Sequence, residues 1–280
     1  MKLTIGFSPC PNDTFIFDAM VNGFIDTPGF EWEPVLEDVE TLNRWALEGK
    51  LDITKISYGV LADILPQYGM LNSGGAMGRG VGPLLITSKE NSHLSIEALS
   101  LLPVAIPGEH TTAHLLMSYA MPSFQNKTFK VFHEIEDAIL SGSVGSGVII
   151  HENRFTYAAK GLQLVKDLGS HWEQSLHCPI PLGGIAMKRS FPPSLHQRVN
   201  DFIKMSLQYA RLHWPALGSY VQLHAQEMEE EVQRKHIELY VNDYSTDAGE
   251  VGKNAVATLL DVQNRLRAQQ QPNPLPIFFL

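Results

Sequence analysis

A chain of 280 residues is longer than one compact core usually organises, so two units or one large α/β domain are expected. Hydrophobic residues make up 44% and charged residues 18%, ordinary for a soluble globular chain, and no stretch approaches the roughly 18 uninterrupted apolar residues of a membrane span. A net charge of -9 without a lysine or arginine cluster argues against nucleic acid or an anionic membrane surface as partner, since both need a basic face, but leaves room for a small anion held locally by Lys55, Arg79, Arg154 or helix N-termini.

The chain opens with strand and helix patterns in alternation. Leu3 to Phe7 reads as a strand reached directly from one lysine, with no apolar leader or small-residue cleavage site, which reads as cytoplasmic. In that setting Cys10 and Cys178 are expected as two thiols rather than a disulfide. Asn12 or Asp13 is expected to cap a helix carrying Phe15, Ile16, Phe17, Ala19 and Met20. A strand at 31–36, an amphipathic helix at 39–47, a strand at 51–56 and a helix at 60–68 follow, then a glycine-rich stretch at 74–82 and a strand at 83–87.

The pattern then restarts: helix 96–101, strand 104–106, helix 111–119, strand 130–132, helix 135–140 and strand 147–150. Between Leu168 and Met187 turn-formers dominate until a strand at 184–187. From Pro193 the periodicity is helical, over 195–214, 232–241 and 250–266. The polar, proline-broken tail from Gln269 to Pro276 has little reason to fold unless Ile277, Phe278, Phe279 and Leu280 dock. Strands alternating with helices imply right-handed crossovers and a mostly parallel sheet, with ligands at the carboxyl ends of the strands. The expected organisation is a two-lobed α/β protein with two hinge crossings and a ligand cleft between lobes, with two separate, sequential units as the alternative. Residues 1–88 and 179–280 form a discontinuous first lobe, and residues 89–178 an inserted second one.

Four loops and one strand end carry the candidate chemistry. Gly147-Val148-Ile149-Ile150-His151-Glu152 delivers a histidine to the end of a buried strand, and imidazole, with an unperturbed pKa of about 6.5, is the natural proton acceptor near neutrality. A satisfied histidine at a sheet edge is the plain alternative. Ser8 to Thr14 is a proline-stiffened turn into a helix that exposes N–H groups and hydroxyls. Lys55 and Ser57 alternate with Ile56 after the third strand and suit a carboxylate, although an exposed lysine would look the same. The 74–82 stretch lacks the helix and third glycine of a dinucleotide loop, so it reads as hinge and close-packed backbone, with Arg79 within reach of a ligand. Pro107-Gly108-Glu109-His110-Thr111-Thr112-Ala113 turns from strand into helix, offering two hydroxyls and a positive helix end to an anion. His110 and His114 share helical spacing but have no third ligand, so no metal is expected.

In chain order, Ser8-Pro9-Cys10-Pro11-Asn12-Asp13-Thr14-Phe15, Lys55-Ile56-Ser57, Gly78-Arg79-Gly80-Val81-Gly82-Pro83, Ile106 to Ala113 and Gly147 to Glu152 resemble the 1,4-dihydroxy-6-naphthoate synthase family of the futalosine route to menaquinone. The resemblance implies the type II periplasmic-binding-protein-like fold. It also implies a cofactor-independent lyase that cleaves cyclic dehypoxanthine futalosine to 1,4-dihydroxy-6-naphthoate and a three-carbon dihydroxyacetone fragment. On the same ground His151 is the proton acceptor and the segments Lys55 to Ser57 and Thr111 to Thr112 line the substrate site. From the loop readings themselves Asn12, Arg79 and Ile150 are further candidates for substrate contact. The expected partner is a small anionic aromatic carboxylate. Chorismate dehydratase, a sibling on the same fold, and a non-catalytic small-anion binding protein are the competing readings.

Overall fold

The structure, a computed structural model, describes residues 1–151, 153–225, 229–268 and 275–279. Its first five strands are β1 (Lys2–Phe7), β2 (Glu31–Leu36), β3 (Ile53–Ser57), β4 (Tyr68–Met70) and β5 (Ala76–Gly78). The next five are β6 (Leu84–Thr87), β7 (Val104–Ile106), β8 (Lys127–Phe129), β9 (Ser146–Ile149) and β10 (Gln163–Asp167), and β11 (Ile180–Lys188) closes the series.

In β1 every second residue, Leu3, Ile5 and Phe7, is buried, as strand alternation requires. β1 pairs in parallel with β2 and with β3, and the connections run through the helices Pro11–Val21 and Val39–Leu47. Pro11 opens the first helix where its missing N–H costs nothing. The residue before that helix is Cys10, and neither Asn12 nor Asp13 caps it, contrary to the sequence expectation. Asp13 instead turns back to accept from Ser8 N and Ser8 Oγ at 3.2 and 2.7 Å. Asp38 does cap the second helix, accepting from the amides of Glu40 and Thr41.

The first sheet runs β2-β1-β3-β11-β4, with β5 also on β11. β11 is antiparallel to β3, β4 and β5, so the sheet is mixed rather than mostly parallel. The physical reason is that β11 is returning chain and carries no crossover helix that would force parallel pairing. The second sheet runs β10-β6-β9-β7-β8, parallel across β9, β7 and β8 and antiparallel where β6 meets β9 and β10. The chain passes between the sheets twice, between Gly78 and Leu84 and between Asp167 and Ile180. β6 therefore bonds in the second sheet, although the sequence placed 83–87 at the end of the first unit.

Helix Pro193–His213 packs against helix Pro11–Val21 and buries Val199, Ile203 and Leu207 in one cluster with Ile5, Phe7 and Phe17. Helix Gly249–Leu266 packs Val256 and Leu259 into a cluster that contains Ile56 and Met70 of the first sheet and Leu85 and Val148 of the second. One helix thus ties both sheets to a shared core. Of the tail, Phe278 bridges Met70 and the Phe279 ring stacks on His196 with centroids 3.6 Å apart, while residues 269–274 and Leu280 lie outside the described residues. Among the described residues no helix is long and apolar enough to cross a membrane.

Candidate active site

The carboxyl ends of β1, β3, β7 and β9 meet β11 around one cavity, lined by Ser8, Asn12 and Asp13, by Lys55 to Ser57, by Thr111 to Ala113, by Ile150 and His151, and by Leu182, Gly183 and Tyr240. Both sheets supply walls, and about 90 Å³ of it is open to the centre of a water molecule. This is enough to hold a small molecule's reacting edge rather than a macromolecule's.

β9 delivers the histidine. Gly147 permits the strand to press on the helix Ile135–Leu140, since a Cβ there would come within 2.5 Å of Ile135. His151 then leaves the strand at φ 57, a left-handed backbone that a non-glycine residue seldom adopts and that clusters at functional sites. Its ring stands edge-on to Phe132 at 5.1 Å and parallel to the His236 ring at 5.9 Å, while Nδ1 lies 3.7 Å from Cys10 Sγ. Three elements far apart in sequence therefore fix the plane of one imidazole.

The floor of the cavity is a buried ion pair. Lys55 Nζ lies 2.8 Å from Asp13 Oδ1 and donates to Gly74 O at 3.0 Å, with both side chains at most 6% exposed. Asp13 also accepts from Ser8 and, at 2.8 Å, from Asn12 Nδ2, so each carboxylate oxygen is satisfied. Asn12 Oδ1 meets His236 Nε2 at 2.9 Å, which joins the floor to the ring that stacks on His151. Lys55 is thus interior rather than exposed, and its charge is neutralised by the protein itself.

The threonines act differently from the expectation. Thr111 caps the helix Thr112–Ala120, accepting from His114 N while its hydroxyl donates to Gly108 O at 2.9 Å. Thr112 Oγ1 donates to Leu182 O at 2.7 Å and accepts from Gly59 N. Both hydroxyl protons are spent on backbone carbonyls, so what this turn offers an anion is the first-turn amides of Thr112 and Ala113 and the positive helix end. Ser57 brings a hydroxyl-bearing side chain to the cavity wall, its amide donating to Asn43 Oδ1 at 2.9 Å. Ile56 and Ile150 contribute apolar wall on either side.

Arg79 is not part of this cavity. Its exposed side chain sits 3.6 Å from Glu173 Oε2 and donates to His177 O, because the turn at Gly80, φ 69, carries it outward. Arg154 is likewise occupied, donating to Gly82 O. Asp13, His236, Tyr240 and Phe132 were missed by sequence reasoning. They reach the site from three elements, His236 and Tyr240 one turn apart on the helix Glu230–Tyr240, and nothing in the local pattern of any of them distinguishes it from an ordinary cap, core or helix residue. Among the described residues no group of three His, Cys, Asp or Glu side chains is arranged to hold a metal ion, and no disulfide joins Cys10 to Cys178.

Residues 3–265 match the family model described as menaquinone biosynthesis. The chain is 45% identical over 276 residues to the 1,4-dihydroxy-6-naphthoate synthase of Thermus thermophilus, covering 99% of this chain and 98% of that one. It is 40% identical over 267 residues to the enzyme of the same name from Streptomyces coelicolor, covering 92% and 91%. The chain belongs to the 1,4-dihydroxy-6-naphthoate synthase family of menaquinone biosynthesis. The fold of this family is seen in the crystal structure of protein AF1704 from Archaeoglobus fulgidus, with TM-score 0.88 at 30% identity over 95% of this chain and 98% of that one. The periplasmic aliphatic sulphonate binding protein SsuA of Escherichia coli aligns at TM-score 0.63 and 12% identity over 98% and 94%, which places the family's fold among periplasmic binding proteins. The expected fold class is borne out.

Proposed function

We propose that this chain is a 1,4-dihydroxy-6-naphthoate synthase that cleaves cyclic dehypoxanthine futalosine without a cofactor, releasing 1,4-dihydroxy-6-naphthoate and dihydroxyacetone. The observation that carries the reading is an imidazole, packed edge-on to Phe132 and parallel to the His236 ring, that opens onto the same cavity as Ser57 and the amides at the Thr112 helix end. A substrate carboxylate or hydroxyl is held at those donors, and the ring to be aromatised faces His151.

With Nδ1 turned toward Cys10, Nε2 of neutral His151 is the nitrogen that removes the substrate proton. In a retro-aldol sense the proton comes from a substrate hydroxyl, whose oxygen pair forms the carbonyl of the departing three-carbon fragment while the electrons of the breaking carbon–carbon bond move into the ring. General-base assistance of this kind supplies about 10²- to 10⁴-fold, so orientation by the cavity walls and aromatisation of the product supply the rest. The two sheet-bearing units act as lobes, and their closure excludes water from the cavity.

Mass-resolved turnover tests the assignment. The purified chain should convert cyclic dehypoxanthine futalosine and leave chorismate unchanged, and His151→Ala should lower turnover by about 10²- to 10⁴-fold while retaining substrate affinity. Dehydration of chorismate would identify the sibling activity. Tight binding of either compound without any product would favour a plain binding protein, the role named for SsuA.

A further inference from the structure

We propose that the chain carries a second ligand site, for a small oxyanion, in a cleft that shares the Thr111 turn with the catalytic cavity. Thr111 borders both spaces, and the second is much the larger, with about 760 Å³ open to the centre of a water molecule. Its walls come from the turn after β7, the helix Thr112–Ala120, the start of β8 and the end of helix Gly249–Leu266.

Lys127 points to the ligand class. Its half-buried ammonium donates to Ser118 Oγ at 2.7 Å and to His114 Nε2 at 3.1 Å, and among the described residues no carboxylate pairs with it. His114 Nδ1 lies 2.7 Å from Glu109 O, so Nδ1 carries the proton and Nε2 accepts from Lys127. Burial lowers the pKa of His114, helped by Lys127, and burial lowers that of Lys127 as well. Of the acids near this cation, Asp63 is gripped by Arg267 at 2.7 and 2.9 Å, Glu40 lies 2.8 Å from His110 Nδ1, and Glu109 lines the cleft with its side chain exposed. A desolvated ammonium with neutral neighbours is stabilised by an incoming anion.

The ligand class set by Lys127 is a carboxylate or phosphate. Gln263 borders the cleft as well. Its side chain is 4% exposed and donates through Nε2 to Gly59 O at 2.5 Å. The same contact links the two sites: Gly59 N donates to Thr112 Oγ1, and His110 O accepts from Asn43, whose Oδ1 holds the amide of Ser57. Occupancy of the cleft therefore acts on the donors of the catalytic cavity, and by linkage the effect is mutual.

The site is independent of the reaction assigned to His151. Isotope-labelled full-length protein is titrated with inorganic phosphate and, separately, with 4-hydroxybenzoate, at ionic strength held constant with chloride, while the His114 ring and the Ser57 and Thr112 amides are followed by NMR. Saturable one-to-one shifts are expected in the wild type and in His151→Ala. Affinity for both anions should weaken about tenfold or more in Lys127→Met. Lys127→Gln serves as the second variant, and circular dichroism checks that each is folded. Unsaturable drift matched by chloride, unchanged affinity in folded Lys127 variants, or binding that vanishes in His151→Ala would overturn the proposal, the last by assigning the anion to the catalytic cavity.

Discussion

The catalytic imidazole proposed here depends on a backbone angle as much as on a side chain. At φ 57, His151 occupies a region that costs a non-glycine residue on the order of 1 kcal/mol, so a glycine there would relieve strain while removing the ring. The Asp13–Lys55 pair beneath it is the more fragile element of the site. Lys55→Met strips a buried carboxylate of its countercharge, and because Ser8 and Asn12 still donate to Asp13 we expect a loss of about 3 kcal/mol, the low end for such deletions, read from urea unfolding. Adding Asp13→Asn to that variant removes the uncompensated charge and should recover part of the loss. Strand alternation brought Lys55 and Ser57 to attention in the sequence. Their partner Asp13 was read as a helix cap, because its local contacts, Ser8 and Asn12, look like those of a cap and its ion-pair partner Lys55 lies several elements away, with no spacing to read.

At the scale of elements, close backbone approach decides more than hydrophobic pattern does. Gly82 and Gly169 face each other where the chain enters the second sheet, and a Cβ on Gly82 would come within 2.3 Å of Gly169 Cα. Gly82→Ala should therefore cost about 1–3 kcal/mol by overpacking, measured as a lower urea midpoint with an unchanged slope. The same pair explains why the helix Leu168–Leu176 escaped sequence reading: Gly169 looked like a turn-former, whereas the fold uses it for contact. Helices with long apolar periodicity, such as Pro193–His213, were legible because their burial is local and repeated. The docked tail makes a separate prediction. His196 is 3% exposed, its Nε2 donates to Lys188 O at 3.0 Å, and burial, reinforced by Arg189, lowers its pKa below the ordinary 6.5. The folded ring takes a proton less readily than the unfolded one, so stability is full above 6.5 and falls as pH drops below it. His196→Gln should flatten that acid limb in a series of unfolding curves between neutrality and pH of about 5, although half-buried His114, shifted the same way, will retain some slope.

For the whole molecule, the cavity's two-sided wall has a measurable consequence. A ligand present at about 100 times its Kd should raise the unfolding free energy by about 2.7 kcal/mol. Hydrogen exchange should slow at the carboxyl ends of both β3 and β9, one in each sheet. Protection confined to one sheet would contradict a ligand gripped by both. The restart of the strand and helix pattern near residue 96 made the existence of two units readable. The mixed pairing was not, because β11 owes its place to partners about 110 to 130 residues earlier, as its pairing of Gly183 with Ser57 and Lys188 with Tyr68 shows. That late arrival bears on how the molecule is made. A nascent chain that has released residue 170 already possesses every strand of the second sheet, while β3 and β4 still wait for the strand that will separate them. Synthesis therefore completes the middle of the polypeptide first, and the interval before Ile180–Lys188 emerges leaves two bare strand edges open to other chains, which is when a stalled ribosome would yield its stickiest product.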